Sequence, residues 1–144
     1  MKTYADTSLL FSLYSTDANS PKADAWRTAN PDPLPFTAFH RLELRNALNL
    51  AVFQKRLTPV EVQSAWQEVE NDMAAGLLIS SGGLWHRVFG EAESIAANHT
   101  STVGCRTLDV LHVAAKLVGV TEFCTFDMRQ GDLVKKVGII VVSL

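Results

Sequence analysis

The sequence predicts a three-layer α/β domain, a parallel sheet of about five strands with helices on both faces. Strand-favouring and helix-favouring segments alternate along the chain. The strand-favouring segments are continuous apolar runs, not period-two alternations, and a strand that is apolar on both sides must be covered on both sides. The length of 144 residues suits one domain able to bury most of its apolar surface, so residues 1–144 are read as a single unit.

The elements follow in order. Lys2 to Asp6 reads as a short strand running into a turn, with Asp6 placed to cap a helix over Thr7 to Tyr14. A second helix over Pro21 to Thr28 is ended by Asn30-Pro31-Asp32-Pro33, and Leu34 to Thr37 is a short strand. Ala38 to Arg56 is a long helix. The clearest start is Thr58-Pro59-Val60-Glu61, with threonine at the N-cap, proline at the first helical position and glutamate at the third. That helix runs to Ala75 and stops at Gly76. Leu77 to Ser80 is a strand, Ser81-Gly82-Gly83 a loop and Leu84 to Asn98 a helix. Thr107 to Val118 is helical up to Gly119, Glu122 to Phe126 favours a strand, Met128 to Val137 is a helix stopped by Gly138, and Ile139 to Ser143 is a buried strand.

Composition narrows the function. Hydrophobic residues make up 47% and charged residues 19%, an ordinary globular balance. The net charge of −2 carries no basic surplus, so any action on nucleic acid has to come from a local site. The longest apolar run, Gly138 to Leu144, is far shorter than a membrane span. A carboxylate at residue 6 interrupts the stretch that a signal peptide would need, which makes a cytoplasmic location the expectation. Cys105 and Cys124 form neither a CxxC pair nor a zinc spacing with the histidines.

The acids are placed suggestively. In open parallel sheets, ligands bind beyond the carboxyl ends of the strands. Asp6 ends the first strand and Asp127 follows Phe123-Cys124-Thr125-Phe126, although each also suits a helix cap. Glu43 falls in the row Phe39, Glu43, Ala47, which sets a carboxylate on an apolar stripe where glutamate is rarely buried without a partner. Asp109 opens a helix on which Asp109, His112 and Lys116 form one polar stripe. Clustered carboxylates repel unless a cation holds them, and oxygen-only ligands select hard ions, Mg2+ or Mn2+. Among such neighbours the Glu43 pKa is expected to be raised.

With those residues in place, the chain resembles the PIN-domain family, in particular the toxin ribonucleases of VapBC toxin–antitoxin pairs. Tyr4-Ala5-Asp6-Thr7-Ser8 is similar to the family's opening strand with its aspartate and following hydroxyl, and Glu43 stands in a helix as the second acid does. Arg106-Thr107-Leu108-Asp109-Val110-Leu111-His112-Val113-Ala114-Ala115 matches the third motif. Phe123-Cys124-Thr125-Phe126-Asp127-Met128-Arg129-Gln130 matches the fourth, with Gly138-Ile139 after it. Lys116 departs from the small residue common in relatives. The resemblance covers the whole chain in order. It implies a Mg2+- or Mn2+-dependent endoribonuclease that leaves a 5′-phosphate, a homodimer and a cognate VapB-like antitoxin.

On that reading Asp6, Asp109 and Asp127 bind the ion or ions, and Glu43 completes the set and accepts a proton from the attacking water. Thr7 and Thr125 hold carboxylates or water. Arg106, His112, Lys116 and Arg129 are candidate phosphate contacts, with a supporting role behind the acids as the alternative for His112. An apolar groove between the early helices, drawn from Leu9, Leu10, Leu13, Tyr14, Trp26, Leu48, Val52 and Phe53, is expected to take an amphipathic antitoxin segment. An aspartyl phosphatase is disfavoured, because Asp6-Thr7-Ser8 puts serine where that chemistry wants a second acid. A non-catalytic module with an acidic pocket stays open. No GxSxG, P-loop, GxGxxG or HExxH motif occurs.

Overall fold

The computed structural model describes residues 3–80, 85–115, 119–142 and 144. The loop expected at Ser81-Gly82-Gly83 and the end of the helix expected to reach Val118 lie outside them. The order is β1 (Thr3–Ala5), α1 (Thr7–Tyr14), α2 (Ser20–Ala29), β2 (Leu34–Phe36), α3 (Ala38–Phe53), α4 (Pro59–Ala74), β3 (Leu78–Ser80) and α5 (Trp85–Ile95). A π-helical turn (Ala96–Thr100) and a short α6 (Ser101–Val103) follow, then α7 (Thr107–Ala114), β4 (Glu122–Cys124), α8 (Met128–Lys136) and β5 (Ile140–Val142). The capping box is present: Thr58 accepts from the Glu61 amide at 3.2 Å and Glu61 accepts from the Thr58 amide at 2.6 Å. The long helix ends before Arg56 because Lys55 turns left-handed, at φ 60°. The helix expected to reach Asn98 gives way at Ala96 to the π turn, which widens the hydrogen-bonding step.

All the strands pair in parallel, as expected, but they do not form one five-stranded sheet. β1, β4 and β5 make a three-stranded sheet in the order β1-β4-β5, and β2 pairs with β3 alone. Backbone direction explains the break. The Asp6 amide donates to Cys124 of β4 at 3.0 Å, so Ala5 turns its carbonyl the other way, toward β2. The Leu34 amide donates to Leu77 at 2.9 Å, so the next residue, Pro35, faces β1 with a nitrogen that has no hydrogen to give. A side chain takes over. His40 Nε2 donates to the Ala5 carbonyl at 2.7 Å, while its Nδ1 accepts the Thr37 amide at 3.0 Å. One imidazole thus joins the ends of β1 and β2 where a ladder bond is impossible.

The pleat sorts the strand residues into two cores. Tyr4 and Phe123 pack with Val88, Ala92, Leu111 and Leu133 from α5, α7 and α8. Ala5, Cys124, Leu34 and Phe36 pack with Leu9, Trp26, Leu44 and Val69 from α1–α4. β1, β2 and most of β4 are covered on both sides as their apolar runs demand, whereas β5, expected to be buried, lies at a sheet edge with Ile140 exposed and Val141 and Val142 half-buried, and β3 is buried only at Leu78. Among the described residues no helix is long and apolar enough to cross a membrane.

Candidate active site at the carboxyl end of the sheet

Asp6 comes directly after β1 and is 2% exposed. It is the N-cap of α1: Oδ1 accepts the Leu9 amide at 3.0 Å and the Ser8 hydroxyl at 2.7 Å. Its Oδ2 accepts the hydroxyl of Thr125, the residue after β4. Burial pushes the Asp6 carboxyl up, and the bonds from Thr125, Ser8 and Leu9 recover only part of that shift. The Thr125 oxygen also accepts the Asp127 amide at 2.8 Å, so one threonine joins both strand-end aspartates. Asp127 is exposed and caps α8, its Oδ1 accepting the amides of Arg129 at 2.9 Å and Gln130 at 3.1 Å.

The second cluster begins one residue after Asp6. The Thr7 hydroxyl donates to Glu43 Oε2 at 2.8 Å, and His112 Nε2 bonds the same oxygen. Phe39, on the same stripe of α3 as Glu43, meets Trp85 and Phe89 of α5 and the edge of His112. The sequence reading raised the Glu43 pKa; the structure lowers it. Burial pushes the carboxyl up, but the bond and charge of His112 and the bond from Thr7 outweigh it. The immediate partners are donors rather than other carboxylates. The half-buried Glu43 therefore adds stability above its unfolded pKa and loses it as pH falls through the lower folded value. In a carboxylate-resolved NMR titration of the metal-free chain, Glu43 is expected to titrate below ordinary glutamates; a midpoint above theirs would contradict this.

His112 is 2% exposed and both of its ring nitrogens are engaged, Nδ1 with the Tyr4 hydroxyl at 2.6 Å. It therefore cannot meet an RNA phosphate, which corrects that expectation and leaves the alternative, a supporting role behind Glu43. Asp109 is half-buried in the first turn of α7, where it accepts the Arg106 amide at 3.1 Å, and Gln130 of α8 donates to its carbonyl at 3.4 Å. Burial, then the charges of Asp109 and Asp127, push the Cys105 thiol up. Arg106 and Arg129 are exposed. Lys116 lies outside the described residues.

The structure thus links Asp6 with Asp127 through Thr125, and Glu43 with His112 and Thr7. Among the described residues, no three histidine, cysteine or acidic side chains gather around one cation position. The donor chemistry nevertheless suits a hard ion. Among the described residues, the hydrogen bonds above occupy one carboxylate oxygen each of Glu43, Asp109 and Asp127 and leave the second, and the whole set is oxygen.

No family model matches the chain, and no curated protein does. Among solved structures it is similar to FitAcB from Neisseria gonorrhoeae, with a TM-score of 0.66 at 18% identity, over 98% of this chain and 96% of that one. The fold is PIN-like. At such identity the likeness concerns the fold alone.

Within this PIN-like fold two buried side chains escaped the sequence reading, Tyr4 as more than a strand residue and His40 altogether. His40 had a signal: Thr37 and His40 stand at capping-box spacing, and the Thr37 amide bonds the ring. The expected apolar groove between the early helices is met only in part. Leu9, Leu10, Trp26 and Leu48 are buried, and Leu13, Tyr14 and Val52 pack against the same core. Only Phe53 of that set is widely exposed, at 84%. Leu13 and Tyr14 do line two adjoining clefts of about 540 Å³ each between α1, α2 and α4, one with Arg27 and Asp72 and the other with Leu57 and Ala65, so a groove is present there with a mixed rather than an apolar lining.

Proposed function

We propose that the chain is a Mg2+- or Mn2+-dependent endoribonuclease acting as the toxin of a toxin–antitoxin pair. The observation that carries this is Asp6, a buried carboxylate at the end of β1, joined through Thr125 to Asp127 and followed by the residue that holds Glu43. The neighbour FitAcB is a toxin–antitoxin complex, which favours an antitoxin partner.

Asp6, Asp109, Asp127 and Glu43 would hold the ion. When bound, it lowers the pKa of a water and offsets charge on the scissile phosphate. Glu43 keeps Oε2 on Thr7 and His112 and has its other oxygen to accept a proton from the attacking water. The ribose 3′-oxygen leaves, giving a 5′-phosphate. Arg106 and Arg129, both exposed, would steady the RNA phosphates. The partners on this reading are RNA, a VapB-like antitoxin and a second copy of the chain, in a cytoplasmic setting.

The purified chain is expected to cleave RNA with Mg2+ or Mn2+ and to stop in chelator. Cleavage that survives exhaustive chelation would exclude the metal role. One observation favours a non-catalytic PIN-like module: Asp6, Asp109 and Asp127 each already serve a helix start. Intact RNA together with a flat Mn2+ titration in calorimetry would establish that second reading.

A further inference from the structure

We propose that Tyr4 and His112 are positioning residues for Glu43, the tyrosine hydroxyl fixing the imidazole in the tautomer that donates to the carboxylate. The effect on catalysis rests on the nuclease reading above; the positioning itself does not.

The Tyr4 ring is fully buried at the centre of β1, stacked on Phe123 with centroids 5.0 Å apart and tilted against His40 at 4.7 Å. Packed on both sides, it cannot swing, so its hydroxyl has one position, 2.6 Å from His112 Nδ1. The charge of His112 that lowers Glu43 belongs to the doubly protonated ring; wherever the imidazole is neutral it carries one N–H. A proton on Nδ1 would leave a bare lone pair on Nε2 facing the Glu43 carboxylate, two acceptors in contact. A proton on Nε2 satisfies every group: Tyr4 donates to Nδ1 and Nε2 donates to Glu43 Oε2. Thr7 donates to the same oxygen and lies 3.3 Å from Nε2, closing a triangle. With Oε2 occupied by two donors, the carboxylate is fixed in rotation and its other oxygen has a defined direction. A side chain on β1 thereby aims an acid on α3, in the way that outer hydrogen bonds orient a ligand at a metal site.

The test uses the full chain at pH 8, without metal, read by two-bond 1H–15N correlation of the histidine rings and by the 13C resonance of the Glu43 carboxyl. The wild type is expected to show His112 protonated at Nε2 alone. Tyr4→Phe keeps the ring and removes the hydroxyl; it is expected to mix the tautomers and move the Glu43 resonance. His112→Gln keeps a donor for Glu43 but no ring, and in that background Tyr4→Phe is expected to leave Glu43 unmoved. In the Mg2+-loaded chain, Tyr4→Phe is expected to lower kcat for RNA cleavage about 10-fold with KM unchanged. A wild-type ring protonated at Nδ1 overturns the proposal. So does a Glu43 resonance indifferent to Tyr4→Phe, equally displaced by it in the His112→Gln background, or a cleaving chain whose kcat it leaves unchanged. If the wild type cleaves no RNA while both resonances behave as stated, the nuclease reading fails and the positioning stands.

Discussion

An Asp6→Asn chain is expected to fold like the wild type and to cleave RNA at least about 100-fold more slowly, since losing a ligand costs no less than losing the groups that orient one. The two halves of this result have different origins. Asparagine keeps the Oδ1 acceptor for the Leu9 amide and the Ser8 hydroxyl, so α1 stays capped. It also removes a buried charge whose desolvation outweighs its hydrogen bonds, as the raised pKa of Asp6 states. Stability should therefore change by no more than about 1 kcal/mol, the scale of one hydrogen bond. The anionic donor, by contrast, is gone. Chemical denaturation and an RNA cleavage assay with Mg2+ measure the two separately. Near-normal turnover would remove Asp6 from the site, whereas a large loss of stability would show that its charge serves the fold.

His40 should behave in the opposite way, carrying stability and no chemistry. His40→Ala removes the donor to Ala5 and the acceptor for the Thr37 amide, and it empties a fully buried position. The expected loss is about 3–5 kcal/mol. Burial, with a contribution from His112, holds the His40 pKa well below the ordinary histidine value. Above about pH 6.5 neither the folded nor the unfolded state carries the proton, and the ring's contribution is complete. As pH falls further the unfolded chain takes up a proton that the folded chain refuses. Stability then declines by up to about 1.4 kcal/mol per pH unit until the folded pKa is reached. Denaturation between pH 7 and 5 reads this slope, and His40→Gln should flatten it. A slope unchanged in His40→Gln would assign the acid sensitivity to another group.

What was legible in the sequence was what depends on neighbours in the chain. The Thr58-Pro59-Val60-Glu61 start, the stops at Gly76 and Gly138 with φ of 74° and 80°, and the parallel strands all follow from local chemistry and period. Asp6 and Asp127 could be placed at strand ends because a strand followed by a carboxylate and a helix is a contiguous pattern. The Glu43 stripe with Phe39 was readable from helical spacing, but its partner was not. His112 stands 69 residues further on and reaches Glu43 only because α7 packs beside α3. Tyr4 and His112, 108 residues apart, are hidden for the same reason. The divided sheet was within reach, because Pro35 sits inside a strand and proline there belongs at an edge. The exposure of Phe53 beside a buried Leu48 follows from which way α3 turns toward α1 and α4, a tertiary fact.

The break beside Pro35 also changes what joins the two halves of the strand layer. β1, β4 and β5 form one ladder and β2 with β3 another, the two held together by an imidazole and by a shared apolar core instead of a continuous ladder. The acids divide along that line. Asp6 and Asp127 follow strands of the first ladder, whereas Glu43 rides on α3, whose cap Thr37 leads out of β2. The hydrogen bonds from Thr7, beside Asp6, and from His112 tie Glu43 back across that break, and a cation held by Glu43 and the aspartates would act as a second clasp over it.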